Sequence, residues 1–407
     1  MLRVFFLTFV VAVIFGGSLY IGPATMRQYM AVVLFLYCLA NLKGLSKHVN
    51  SYIWLFFIFV LFYGFCSIVD DGFSDFLRLT ISAYGVGMVG YLATILYMKR
   101  YGDYEILIRT LLVCGVINGL VTLLQYIHNP IGIAIGALFV DADNYQKVSE
   151  FSHVMDGESG IALPGMFGDA VLNAYFMLLM PLFLLKYWNK RKGKVKQVLY
   201  LALLLFYVVL IFAAQEKSAL LVVLFVSLGY VYYKLKPAKR ILMLIFIGIV
   251  VVTIPVIISQ DWFSESRFAE DNSDEPRLMI YSNYISYLLE NPLWGGLNAP
   301  YKLFGSRSHN VVLNAFCYAG IIGGSAVLYL IFKQMILSIQ NIKNNICVGV
   351  SLGFIAYTLN GLFHNPSLVT GDVILWVLWG LIFYSSKNTS KSINGRKGNC
   401  HNSCLQC

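Results

Sequence analysis

The chain has 407 residues, 58% hydrophobic and 12% charged, with a mean hydropathy of +0.71. A soluble domain carries about 25% charged residues, so most of this chain is excluded from water. Its net charge of +10 is carried by short loops between apolar runs, with no basic stripe and interleaved aromatics in a soluble domain, which argues against a nucleic-acid partner.

In chain order, twelve apolar runs predict membrane-crossing helices at roughly 4–22, 29–42, 52–69, 77–98, 105–127, 170–188, 197–214, 218–234, 240–258, 309–332, 345–363 and 372–386. A run of about 20 residues crosses the roughly 30 Å of a hydrocarbon core. The expected fold class is therefore all-α: a polytopic helical membrane protein of about 12 transmembrane helices, forming a single membrane domain over 1–386. Met1-Leu2-Arg3 resembles the start of a signal peptide, but no small-x-small cleavage site follows, so the first run reads as an uncleaved helix. Residues 387–407 read as a basic, disordered cytoplasmic tail, in which Cys400, His401, Cys404 and Cys407 are not taken as a metal site. Cys38, Cys66, Cys114, Cys317 and Cys347 fall within helices, where free cysteine behaves as a small hydrophobe.

Charge orients the bundle. With both termini cytoplasmic, 22 of the 30 Lys and Arg lie inside and 18 of the 20 acids outside, as the positive-inside rule requires. Two outer loops exceed a turn, at 128–169 and 259–308. The second, the large periplasmic loop, contains an amphipathic helix from Arg277 to Glu290, started by Pro276 and stopped by Asn291-Pro292. That helix is expected to lie along the membrane surface and roof a lateral cleft.

The candidate chemistry lies at the outer edge. Lys217, in Gln215-Glu216-Lys217-Ser218 between two spans, reads either as the boundary of a tight helical hairpin or as a phosphate ligand. His309 stands between Ser308 and Asn310 at a helix start, where imidazole suits either a cap or proton transfer. Asn310 and Asn314 share a face at one i,i+4 step. Gly320 and Gly324 form a small-xxx-small step, read as close helix packing. His364-Asn365-Pro366-Ser367 reads as a plain turn. A solute or polysaccharide transporter would instead have helices broken near the midplane and polar groups deep in its spans.

Four stretches over roughly 160–330 resemble the bacterial O-antigen ligase and polymerase family of membrane glycosyltransferases. They are Gly165-Met166-Phe167-Gly168 … Asn173-Ala174; Glu216-Lys217-Ser218, where the family commonly has Ser-Arg-Gly; Arg267-Phe268 … Arg277 with Asn291-Pro292-Leu293-Trp294-Gly295; and Ser308-His309-Asn310 … Leu313 … Gly320-x-x-Gly323. The departure at Lys217 keeps a charge but loses the bidentate fork of arginine.

The resemblance implies transfer of a glycan from a polyprenyl-diphosphate carrier to an acceptor glycan hydroxyl at the periplasmic face of the bacterial inner membrane. It implies His309 and Arg277 as catalytic residues, His309 either deprotonating the acceptor hydroxyl or binding the diphosphate, with Lys217, Arg267, Arg307, Asn310 and Asn314 binding diphosphate or glycan. It implies no cofactor and no metal, because cations replace the ion at the leaving diphosphate. Membrane lipid and a chain-length regulator protein are the further partners expected. Polymerase is the first reading and ligase, acting on the lipid A core, the second.

Overall fold

The computed structural model describes residues 2–15, 20–21, 24–41, 58, 60–66, 68, 73, 85–140, 145–156, 163–188, 194–213, 217–241, 243, 274–293, 303–304, 308–362 and 373–386. The expected run 240–258, half of 52–69, the turn 364–367 and the tail 387–407 lie largely or wholly outside them.

Among the described residues the fold is all-α apart from a two-stranded antiparallel bridge, β1 (Tyr20–Ile21) with β2 (Ala24–Thr25). The helices are α1 (Leu2–Phe15), α2 (Met26–Ala40), α3 (Val86–Tyr101), α4 (Tyr104–Tyr126), α5 (Pro130–Ala137), α6 (Tyr145–Met155), α7 (Ala170–Trp188), α8 (Lys194–Ala213), α9 (Lys217–Lys234), α10 (Asp274–Glu290), α11 (Val311–Lys343), α12 (Val348–Asn360) and α13 (Val373–Ser386). Among the described residues α4 and α11 have both the length and the apolar character to cross a bilayer, and shorter apolar helices surround them. One hydrophobic core joins α1, α3, α4, α7, α11, α12 and α13.

Side-chain pairs fix the helix directions. Gly115 and Gly119 of α4 lie against Met180 and Met177 of α7, and Gly349 and Gly353 of α12 lie against Phe183 and Leu179 of the same helix. Both α4 and α12 therefore run antiparallel to α7. In consequence the first residues of α4, the last of α7 and the first of α12 share one end of the bundle. That end carries the Arg3–Asp103 ion pair (3.7 Å), the Arg100–Tyr37 hydrogen bond and the Lys234–Asn345 hydrogen bond. The opposite end gathers Gln125, Gly165, Asn310 and Leu362. The two ends are thus sorted as the loop charges predict.

At that opposite end the Gly165-Met166 segment is held by a buried polar clamp. Asn118, Thr122 and Gln125 recur along one face of α4, the first two meeting Asn173 of α7, and all four are inaccessible to solvent. Asn118 Nδ2 donates to Asn173 Oδ1 (2.7 Å) and Asn118 Oδ1 accepts from Met166 N (2.7 Å). Asn173 Nδ2 donates to Leu163 O (2.7 Å), while Gln125 exchanges two hydrogen bonds with the Gly165 backbone (2.9 and 3.1 Å). Polar groups in a low-dielectric interior are stabilising only when so paired. The Gly165 … Asn173 motif is thereby structural: it closes the first long loop onto the bundle.

Two expectations change here. Cys347 is not in a helix but caps α12 with φ +43°, its thiol 3.0 Å from Ser385 Oγ. Polar groups also lie deep in α11: Gln334 donates to Trp379 O and Asn341 to Ile382 O, tying α11 to α13.

Gly165 tests the clamp. Its φ is +57°, and a Cβ there would lie 2.6 Å from Asn118 Oδ1, whereas Gly102, at φ +63°, has open space. Both Gly→Ala changes carry the left-handed backbone cost of about 1–2 kcal/mol, but Gly165→Ala adds the clash. Thermal unfolding in detergent micelles should therefore show a clearly larger fall in midpoint for Gly165→Ala than for Gly102→Ala.

Candidate functional site

The turn before α11 is built by its own polar residues. Asn310 caps the helix: its Oδ1 accepts from Val312 N (2.9 Å) and Leu313 N (3.2 Å), groups that a helix start leaves unpaired. Ser308, fully buried, accepts from Asn310 N (3.2 Å) and donates to Asn314 Oδ1 (2.5 Å). Asn310 and Asn314 are thus brought together through Ser308, and both side chains are engaged in holding the turn.

His309 sits at the crest of this turn, half-buried, with φ +52°. A non-glycine residue in the left-handed region stores strain, which persists only where its neighbours over-determine it. Ser308 on one side and the capped Asn310 on the other do so.

A second element converges on the same point. Asn310 Nδ2 donates to Leu362 O (3.1 Å), the carbonyl just beyond α12, and Val311 N donates to the adjacent Gly361 O (2.9 Å). The Tyr281 hydroxyl of α10 reaches the same Leu362 oxygen at 3.5 Å. Arg277 stands one helical turn before Tyr281 in α10. One carbonyl therefore joins the Arg277 helix to the His309 turn, at the end of the bundle opposite the Arg3–Asp103 pair.

The helix expected over Arg277–Glu290 is present as α10, Asp274–Glu290, but its placement differs from a surface roof. Tyr284 O lies against the buried Cys317 thiol (3.6 Å), and Pro292 O accepts from Ile321 N (2.8 Å). The contacts follow in the same order on both helices, so α10 descends beside the first half of α11. The physical reason is its buried tyrosine: Tyr284 is 1% exposed and packs on Phe304, while Leu278, Met279, Ile285 and Leu289 face outward.

Gly320 also departs from its expected role. The α11 backbone leaves helical geometry at Ala319 (φ −128°, ψ 16°) and Gly320 (φ 63°, ψ −172°). A Cβ at Gly320 would lie 2.6 Å from Leu293 O, and one at Gly324 would meet Phe316 of its own helix. The glycines serve a break filled by a loop, not a helix–helix step.

Of the other expected residues, Lys217 is the first residue of α9, described by its backbone, as is Arg277. Arg267 and Arg307 lie outside the described residues. Among the described residues no three His, Cys, Asp or Glu side chains gather as metal ligands. Sequence reading did not single out Ser308, the Tyr281 hydroxyl or the Pro292 carbonyl. Ser308 had a signal, standing six residues before the buried Asn314; the other two depend on contacts between distant segments.

Residues 201–328 match a family model described as O-antigen ligase. The match supports, over that stretch, the resemblance read from the sequence. It spans most of α8, all of α9 and α10 and the first half of α11, and so encloses Lys217, Arg267, Arg277, Arg307, His309, Asn310 and Asn314. The Gly165 … Asn173 clamp lies outside it. No curated protein matches the chain. The O-antigen ligase family is one of membrane-embedded glycosyltransferases of polysaccharide biosynthesis, with lipid-linked glycans and acceptors as substrates.

The strain at His309 gives a test independent of activity. His309→Gly and His309→Ala lose the same imidazole, but only glycine relaxes φ +52°, a difference of about 1 kcal/mol. The glycine variant should unfold at higher temperature in micelles than the alanine variant.

Proposed function

We propose that this chain polymerises a surface polysaccharide, transferring a glycan from a polyprenyl diphosphate to an acceptor sugar hydroxyl at the extracytoplasmic face of the bacterial inner membrane. The observation that carries the reading is the meeting of two elements of the family-matched stretch, α10 and the His309 turn, on the Leu362 carbonyl. The distribution of loop charge supports placing that end outside, both termini inside, and about twelve spans in all.

In this reaction the acceptor oxygen attacks the anomeric carbon as its bond to the diphosphate breaks. The charge that grows on the leaving diphosphate needs fixed cations in a site of low dielectric. Arg277 provides the first, with Lys217, Arg267 and Arg307 completing the field. His309 takes the proton of the acceptor hydroxyl, and Ser308, Asn310 and Asn314 hold it in place. The leaving group is already activated, so no metal or other cofactor is required. Membrane lipid carries the donor, and a chain-length regulator is the expected protein partner.

Ligation to the lipid A core is the second reading, favoured by the match to an O-antigen ligase family. A deletion strain separates the two: single-repeat lipopolysaccharide supports polymerase, and bare core with accumulated lipid-linked polymer supports ligase. Transport is weaker. The break in α11 is filled by Pro292 instead of opening toward a solute, and Gln334 and Asn341 are bonded to α13.

Replacing His309 or Arg277 by Ala is expected to abolish transfer with normal amounts of protein in the membrane. His309→Gln, which keeps a hydrogen-bonding group but no base, should be equally inactive, with loss of about 10²–10⁴-fold. Chelation should leave the wild-type rate unchanged. Normal chain-length ladders from His309→Ala or Arg277→Ala would refute the assignment.

A further inference from the structure

We propose that Gly320 and Pro292 are positioning residues for this transfer: they latch α10 into the break of α11 and so hold the Arg277 helix against the His309 turn. The inference rests on the function proposed above and adds residues that touch neither donor nor acceptor.

Where the backbone departs from helix at Ala319 and Gly320, Ile321 N bonds instead to Pro292 O at 2.8 Å. An N–H left unpaired in a hydrocarbon setting costs several kcal/mol, so the break is tolerable only while the Asn291–Leu293 turn stays seated. That turn can approach because Gly320 has no Cβ; one would lie 2.6 Å from Leu293 O and 3.3 Å from Pro292 O. Asn291 ends α10 with its N and Nδ2 both on Tyr287 O (2.9 and 3.2 Å), making the turn continuous with the helix.

Above the latch stand two further contacts, the Cys317 thiol on Tyr284 O at 3.6 Å and the Tyr281 hydroxyl on Leu362 O at 3.5 Å. The hydroxyl contact is long for an O–H···O bond and the thiol is a weak donor, so both hold α10 weakly. The short Pro292–Ile321 bond sets the register of α10, and through Tyr281 the distance between Arg277 and the His309 turn. A displacement of about 1 Å in such a site is enough to cost about 10² in rate.

Cys317 reports the seating of α10 directly. It is 0% exposed beneath Tyr284, while Cys114, 3% exposed, lies on α4. N-ethylmaleimide uptake at each cysteine, mapped by peptide mass spectrometry on protein in membranes, separates local from global change. Gly320→Ala should raise labelling of Cys317 by about tenfold or more and leave Cys114 protected, as local opening does. In the same membranes kcat for transfer should fall about 10²-fold with little change in KM for the lipid-linked donor.

Unchanged Cys317 labelling overturns the latch. Raised Cys317 labelling with an unchanged kcat overturns the positioning role. Should Gly320→Ala expose both cysteines, Pro292→Ala decides by the same two readouts; it keeps the carbonyl but frees the turn, and should give smaller changes of the same sign. If wild-type protein transfers no glycan, the proposed function fails, while Cys317 labelling still tests the latch.

Discussion

One hydrogen bond carries more of this architecture than its size suggests: the amide of Ile321 donating to the carbonyl of Pro292. In water such a bond is worth about 1 kcal/mol. Inside a bilayer the alternative is a bare N–H in hydrocarbon, so the same bond becomes a condition for α11 to be broken at all. The break in turn admits the Asn291–Leu293 turn, and that turn brings α10 down beside the first half of α11. A polar loop is thereby built into the wall of the bundle instead of floating above it.

The end of the bundle where this happens is stiffened from two sides. On one, Asn118, Thr122, Gln125 and Asn173 lock the Gly165-Met166 segment. On the other, Ser308 and Asn310 lock the turn that holds His309 at positive φ. Between them the Leu362 carbonyl receives both Asn310 and Tyr281. Enzymes of lipid-linked substrates face a particular constraint: the reacting phosphate sits at the lipid–water boundary, where a loose loop is easily displaced. In the proposed reaction, rigid support of the Arg277 helix and an imidazole at that depth answers it, since catalysis by fixed charge depends on charges that do not reorganise.

Much of this was legible in the sequence, and the exceptions share a cause. Apolar runs and loop charge gave the all-α class and the sorting of the two bundle ends. Pro276 and Asn291-Pro292 bracketed α10 to within three residues. Asn118, Thr122 and Gln125 carried a visible signal too, being polar groups at helical spacing inside an apolar run, and were passed over. Gly320 was misread because a glycine in an apolar helix serves close packing and positive φ equally well; only contact with a loop thirty residues earlier distinguishes them. The descent of α10 was hidden for the same reason. Leu278, Met279, Ile285 and Leu289 are exposed while Tyr284 is buried, an order that apolar periodicity alone does not predict.

The central claim is that α10 and the His309 turn form a pocket for a lipid-borne diphosphate, and binding measures it without any turnover. Purified protein in micelles should bind polyprenyl diphosphate more tightly than polyprenyl monophosphate with no divalent metal present, and Arg277→Ala should weaken the diphosphate by about tenfold or more, the scale of one charge-assisted contact. Equal affinity for the two lipids, or a diphosphate affinity unmoved by Arg277→Ala, would contradict the account.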